Sequence, residues 1–268
     1  MSHNIKVRAL QVVNHLLFAV GIAYVVMTGE YSYALVGLLS YWGLGVLGIN
    51  IGYHRLLAHR SFSTYPIVEK VLSVIGVITS VGSPLAWVTL HRMHHKTTET
   101  AADPHSPYLL GNFRAWFGFW NITHLDLSLS KDIRKDKFQK RLHKYYFEII
   151  LVYCVALAVI DPMLIIFAYC IPACLCLHSS SAIIVIAHRQ GYKTHDLGID
   201  EARNSWVASL ITLGEGWHNN HHHNPRAWSN QEKWWELDPN AWLIKLIKRN
   251  TKKMTTPKQA ARPEGEEI

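Results

Sequence analysis

Apolar runs of membrane-spanning length alternate along this chain with polar stretches that hold most of its charge. Crossing a bilayer takes about 20 apolar residues. Residues 10–27 form the first run and residues 33–51 the second, with only the polar residues 28–32 between them. Residues 146–160 and 163–187 form another pair, separated by Asp161 and Pro162, a tight turn that suits a helical hairpin. A fifth run, residues 71–90, is different, because it starts beside Glu69 and Lys70 and contains Gly76, Gly82 and Pro84. Those breaks predict an interfacial or re-entrant segment, not a crossing.

Charge then orients the pattern. With both short turns on one side, all 27 Lys and Arg fall on the other. An excess of cations marks the cytoplasmic face. The expected fold is therefore all-α and integral to the membrane, a single domain of four transmembrane helices in two hairpins. Residues 9–52 and 146–187 are the hairpins, residues 53–145 and 188–250 a cytoplasmic helical cap, and residues 251–268 a flexible basic and acidic tail. Both termini are expected in the cytoplasm. No small-residue cleavage site follows the first run, so a cleaved signal peptide is not expected. The formal charge of +8 is explained by this topology and by anionic lipid, and no nucleic-acid-binding motif accompanies it. Cys154, Cys170, Cys174 and Cys176 all fall in apolar stretches without a C-x-x-C pattern. They read as reduced packing residues.

The polar stretches carry the chemistry. Of 17 histidines, eight form three boxes: His54 and His59; His91, His94 and His95; His218, His221 and His222, with His188 between the last two boxes. Imidazole suits zinc, copper, iron and nickel. On a helix, residues three and four apart share a face, so each H-x-x-H-H box is expected to converge on one point. His223, one place beyond the third box, reads as a bystander.

With these flanks the chain resembles the integral-membrane fatty acyl desaturases, in particular the stearoyl-CoA and cyanobacterial acyl-lipid delta-9 branch. The matching stretches are YHRLLAHRSFS from Tyr53, GSPLAWVTLHRMHHKTTETAADPHSP from Gly82 and GEGWHNNHH from Gly214. The resemblance runs from about Leu39 to Asp238. It implies a di-iron centre (Fe2+/Fe3+) that uses O2 and two electrons to desaturate a saturated acyl chain. The ligands it implies are His54, His59, His91, His94, His95, His188, His218, His221 and His222. Breaking an aliphatic C–H bond lies beyond acid–base side chains, so the difficult step belongs to metal and oxygen. A metal-bound imidazole usually donates its other N–H to a carboxylate or carbonyl; Glu99, Asp103, His105 and Glu215 are the candidates for that supporting role. Two stretches depart from the family pattern. Ile184 stands where stearoyl-CoA desaturases often carry Asn, four residues before the lone histidine, and residues 111–120 lack the histidine usual after the DPH segment.

A desaturase must also hide a long acyl chain, carried on CoA or a glycerolipid ester, at about 0.8 kcal/mol per buried CH2. Leu38 and Trp42 share a face of the second run. At about 1.5 Å per residue Trp42 lies ~18 Å deeper than His54, and the resemblance places chain-length determinants on this helix. Trp217, beside His218, is a third candidate for the tunnel wall. A fused cytochrome b5 domain is not expected, so electrons are expected from a separate ferredoxin or cytochrome b5, and the basic residues 126–144 could dock it. A membrane di-iron hydroxylase or ketolase and, more distantly, a metal-binding membrane protein or transporter remain alternative readings.

Overall fold

A computed structural model describes residues 3–120 and 125–249, and every regular element among them is a helix. α1 (His3–Thr28) is followed by α2 (Tyr31–Ala58), which changes character part-way along. Tyr31–Gly43 is α-helical and Leu44–Ala58 is a π-helix. In a π-helix each N–H bonds the carbonyl five residues back, so residues five apart stack on one face. The His59 N–H donates to the His54 carbonyl at 3.0 Å, which continues that pattern through the first box.

Glycine lets the next helix nest against this wide segment. A Cβ on Gly48 would lie 2.8 Å from the backbone nitrogen of Gly76, and one on Gly76 only 2.2 Å from the Tyr53 ring. α3 (Pro66–Ile78) therefore crosses α2 in near backbone contact. The apolar run 71–90 does break as its glycines and proline predict. Ser80 and Gly82 adopt φ of 61° and 127°, ending α3 and redirecting the chain into α4 (Pro84–Thr97). The Ser83 side chain accepts from the Ala86 N–H and caps α4.

Short elements follow: α5 (Pro107–Leu110), α6 (Asn112–Trp116), a 3-10 turn (Leu127–Ser130), α7 (Lys131–Lys135) and α8 (Lys137–Lys144). α9 (Tyr146–Ile160) leaves α8 at a bend of 72°, and α10 (Ile165–Arg189) returns. α1, α2 and α10 are each long and apolar enough to cross a membrane, and the bent α8–α9 pair makes a fourth span if counted as one. Outward-facing Val26, Met27, Val159 and Ile160 are 76–84% exposed. An apolar face of that extent belongs against lipid.

The two turns lie together at one end of the bundle. The Tyr33 hydroxyl donates to Asp161, and the Tyr33 ring stacks on Phe167 with centroids 5.0 Å apart. At the other end Lys6 sits over the Phe147 ring, and the chain goes on to α11 (Trp206–Thr212), α12 (His218–His223) and α13 (Pro239–Ile247). Cys170, Cys174 and Cys176 are buried and Cys154 half-buried; all four are free thiols.

Candidate metal centre

Four helices bring the nine histidines together in two groups. His54, His59, His91, His95 and His221 form one, and His94, His188, His218 and His222 the other. Within each group the ligand nitrogens lie within 4.8 Å of one another. The expectation that each H-x-x-H-H box closes on a single point is corrected here: each box is divided between the groups. On α4, His91 and His95 are four apart and face the first group, while His94 is turned by roughly 100° toward the second. α12 does the reverse, giving His218 and His222 to the second and His221 to the first. The π-helix supplies what the first box needs. His54 and His59 are five positions apart, a spacing that an α-helix would splay and the π-helix aligns.

Carboxylates fix the tautomers. A carboxylate only accepts, so each imidazole nitrogen facing one must donate. His54 Nδ1 donates to Glu215 at 2.8 Å, His94 Nδ1 to Asp103 at 3.0 Å and His188 Nδ1 to Glu99 at 3.0 Å. His222 Nδ1 donates to Asp200 at 2.7 Å. Each of these rings then presents an unprotonated Nε2 inward. His188 Nε2 and His222 Nε2, with His218 Nδ1, are buried with no hydrogen-bond partner among the described residues. In the first group ring nitrogens meet directly: His54 and His95 Nε2 stand 3.0 and 3.1 Å from His221 Nε2, and His59 Nε2 is 2.6 Å from His91 Nε2. The buried, unpartnered nitrogens of the second group are costly unless a cation takes up their lone pairs. All-imidazole sets suit iron as well as other borderline metals, so the residues fit two metal ions.

The surroundings also favour the neutral form, the one a ligand needs, at seven of these histidines. Burial, reinforced by neighbouring histidines, pushes His59, His91, His95, His218, His221 and His222 well below the usual histidine range. His94 is pushed down to about 3, by burial first and His188 second. Burial alone would raise the Glu215 carboxyl; Arg55 and His54 override it and hold it at about 2.

A model of the fatty acid desaturase family matches residues 31–246. The chain belongs to the fatty acid desaturase family. It is an oxidoreductase that acts on fatty acyl chains. It is 32% identical over 244 residues to an sn-1 stearoyl-lipid 9-desaturase of Anabaena variabilis, covering 88% of this chain and 89% of that protein. An sn-2 palmitoyl-lipid 9-desaturase of Nostoc sp. (strain 36) is 34% identical over 227 residues, covering 81% and 79%. An acyl-CoA 5-desaturase of Anemone leveillei is 30% identical over 230 residues, covering 82% and 70%.

In this desaturase a cavity of about 280 Å3 opens onto both histidine groups, where His54, His91, His94, His188 and His218 form part of its wall. Ile184 lines the same cavity beside His188, so an apolar side chain stands at the departure from the family pattern. His105 also lines it, with its ring against His94 at 4.4 Å and Trp120 at 5.2 Å. The tunnel candidates lie elsewhere. Leu38 is 42% exposed on the outer face of α2 and lines neither this cavity nor the cleft beside it. Trp42 borders that cleft, which shares Ser179 with the main cavity. Trp217 is fully buried, donates its indole N–H to the Leu237 carbonyl and packs edge-on against Trp206. His223 stacks on His195 at 3.7 Å, away from both groups.

Sequence reasoning missed three supporting elements. Asp200 follows no box, and only contact with His222 reveals it. Asn219 and Asn220, the polar filler of the third box, anchor α12: Asn219 donates to the Ala202 carbonyl, and Asn220 to Glu236 at 2.9 Å. Arg55, inside the first box, is buried and bridges Glu215 to Asp238, with contacts of 2.8 Å to each.

Proposed function

We propose that this desaturase introduces a cis double bond nine carbons from the carboxyl end of a saturated acyl chain carried on a glycerolipid or CoA. The observation that supports this most is the pair of histidine groups, tautomers set by carboxylates, opening on one cavity. The two cyanobacterial relatives named as lipid 9-desaturases support the position of the bond. Two irons, held by His54, His59, His91, His95 and His221 and by His94, His188, His218 and His222, would supply activation of dioxygen against an unactivated methylene pair. The overall reaction balances with two electrons from outside. Dioxygen takes four electrons, two from the broken C–H bonds and two from a donor, and with the two hydrogens removed from the chain and two protons from solvent it leaves as two waters.

The chain's own side chains position and protect. Glu215, Asp103, Glu99 and Asp200 each take one imidazole N–H and thereby orient the ring. Ile49, Val81, Leu90, Leu177 and Ile184 line the cavity with hydrocarbon, which excludes water and stabilises an acyl chain by about 0.8 kcal/mol per CH2. We further propose four spanning segments, the bent α8–α9 pair being the fourth, with the histidine cap and both termini on the cation-rich cytoplasmic side.

Expression in a host that lacks unsaturated fatty acids tests the activity. Lipid profiling should reveal monounsaturated chains with the bond at carbon nine, and none with His188→Ala. A hydroxylated product would replace desaturation with hydroxylation as the reaction. For the topology, cysteines introduced at Ser32 and at Lys140 should label from opposite sides of the membrane.

A further inference from the structure

The lone histidine sits where a helix is least able to hold it. His188 lies in the last turn of α10, where the final carbonyls have no partner within the helix. No other ligand stands on α10 to share the fixing. Helix ends fray, yet the His188 side chain is only 1% exposed, and its Nε2 is buried without a hydrogen-bond partner among the described residues. Something outside the helix must hold it there.

Residues 99–108 supply that support at several points. Glu99 takes the His188 Nδ1–H at 3.0 Å on one carboxylate oxygen and the Ser106 hydroxyl on the other. The Tyr108 hydroxyl donates to the His188 carbonyl at 2.8 Å. Arg189, the next residue, donates to the Pro107 carbonyl at 2.9 Å and lies over the Tyr108 ring at 4.3 Å. The segment is folded tightly on itself. Glu99 adopts φ of 59°, a left-handed conformation that a glutamate rarely takes, and Asp103 accepts its N–H at 3.0 Å. Ser106 is fully buried, and its Oγ also accepts the Tyr108 N–H at 3.2 Å as α5 begins. Asp103 takes the His94 N–H as well, so the two ligands that this segment orients both belong to the four-histidine group.

We infer that residues 99–108 form a strap that positions the four-histidine group, with Tyr108 as the positioning residue that fixes the backbone of the lone histidine. Placing a ligand takes both contacts: Glu99 sets the direction of the imidazole, and Tyr108 holds the end of α10 that carries it. Ser106 acts one step further back, by keeping Glu99 turned toward His188. The five-histidine group takes its carboxylate support from Glu215 instead. Loosening the strap should therefore disturb one metal site and spare the other. The inference rests on the di-iron desaturase reading, since only a bound metal makes the placement of His188 matter to function.

The test uses the full chain loaded with iron-57, with Mössbauer spectra followed during competition with a chelator. Tyr108 is exposed and its ring packs on Arg189, so Tyr108→Phe keeps that packing and removes only the bond to His188. It should weaken iron binding roughly 2–10-fold, the strength of one hydrogen bond, at the signal that His188→Ala abolishes. The signal that His59→Ala abolishes should stay as in the wild type. Ser106→Ala, which strips Glu99 of its second donor, should weaken the same signal as Tyr108→Phe. Tyr153→Phe deletes a like phenol-to-carbonyl bond on α9, 3.2 Å to Ala168, and should leave both signals at wild-type strength. Unchanged iron binding in either strap variant, equal weakening of both signals, or weakening in Tyr153→Phe as well overturns the proposal. A wild type that binds no pair of irons overturns the desaturase reading instead. Two iron signals in the wild type, with Tyr108→Phe indistinguishable from it, overturn the strap alone.

Discussion

Glu215→Gln removes one negative charge from the most heavily connected group in the site. Glu215 takes the His54 N–H at 2.8 Å, two guanidinium contacts from Arg55 at 2.8 and 2.9 Å, and the Asn240 amide at 3.0 Å. All of these partners are donors. A glutamine must turn its own NH2 toward one of them, so either His54 or Arg55 loses its acceptor. Depression of the Glu215 carboxyl from 4.5 to about 2 corresponds to about 3 kcal/mol at ~1.36 kcal/mol per unit. Breaking a buried pair costs about 3–5 kcal/mol; Arg55 keeps Asp238, which places the cost at the lower end. Three kcal/mol lowers the melting temperature of a domain this size by roughly 6–12 °C. Arg55 loosened from residue 215, or His54 freed to rotate, leaves the His54 ring less firmly oriented, and supporting substitutions of this kind weaken metal binding about 10–100-fold. Thermal unfolding in detergent, with iron measured on the same samples, reads both effects. A Glu215→Gln protein within 2 °C of wild type and retaining all its iron would show that Glu215 neither braces the buried Arg55 nor orients His54.

Asp200→Asn should cost about 10–100-fold in metal affinity, read as iron lost to a competing chelator, whereas His223→Ala should leave both iron and activity at wild-type levels. Gly76→Ala drives a methyl into the buried Tyr53 ring, so overpacking should destabilise by about 1–3 kcal/mol or more; an unchanged melting temperature would contradict the close α2–α3 crossing. Metal-stripped protein should lose stability in acid. Burial, chiefly, depresses His94 and His105 to about 3 from 6.5, so the unfolded chain takes up protons first. Stability is then full above about pH 6.5 and falls steadily toward pH 3; a melting temperature flat from pH 7.5 to 5 would count against neutral, buried histidines.

The nine histidines were legible because box spacing and flanking residues are local, and so were the apolar runs that became α1, α9 and α10. Glu99, Asp103 and Glu215 were also within reach, since each lies within a box or its flank and a carboxylate there has few other uses. Asp200 was not, because only the fold brings residue 200 against residue 222. The division of each H-x-x-H-H box between two groups needs two partners on opposite sides of one helix, which no single-helix pattern specifies. The π-helix was equally hidden. Its consequence reaches the depth expected of Trp42 as well: most of the stretch from Trp42 to His54 is wound wider than an α-helix, so its rise falls short of the ~18 Å expected. Leu38 and Trp217 were chosen by helical register and adjacency, and the fold turns one outward and uses the other to hold Leu237.

The most direct test of the central claim is iron content and Mössbauer spectroscopy of wild-type, His59→Ala and His188→Ala protein purified from iron-57-grown cells. The wild type should carry close to two irons per chain. Each variant should selectively lose a different one of two distinguishable iron signals, and neither variant should desaturate. Two irons bound equally well in all three proteins, or a single indivisible signal lost as a whole from both variants, would contradict two separately ligated sites built from these nine histidines.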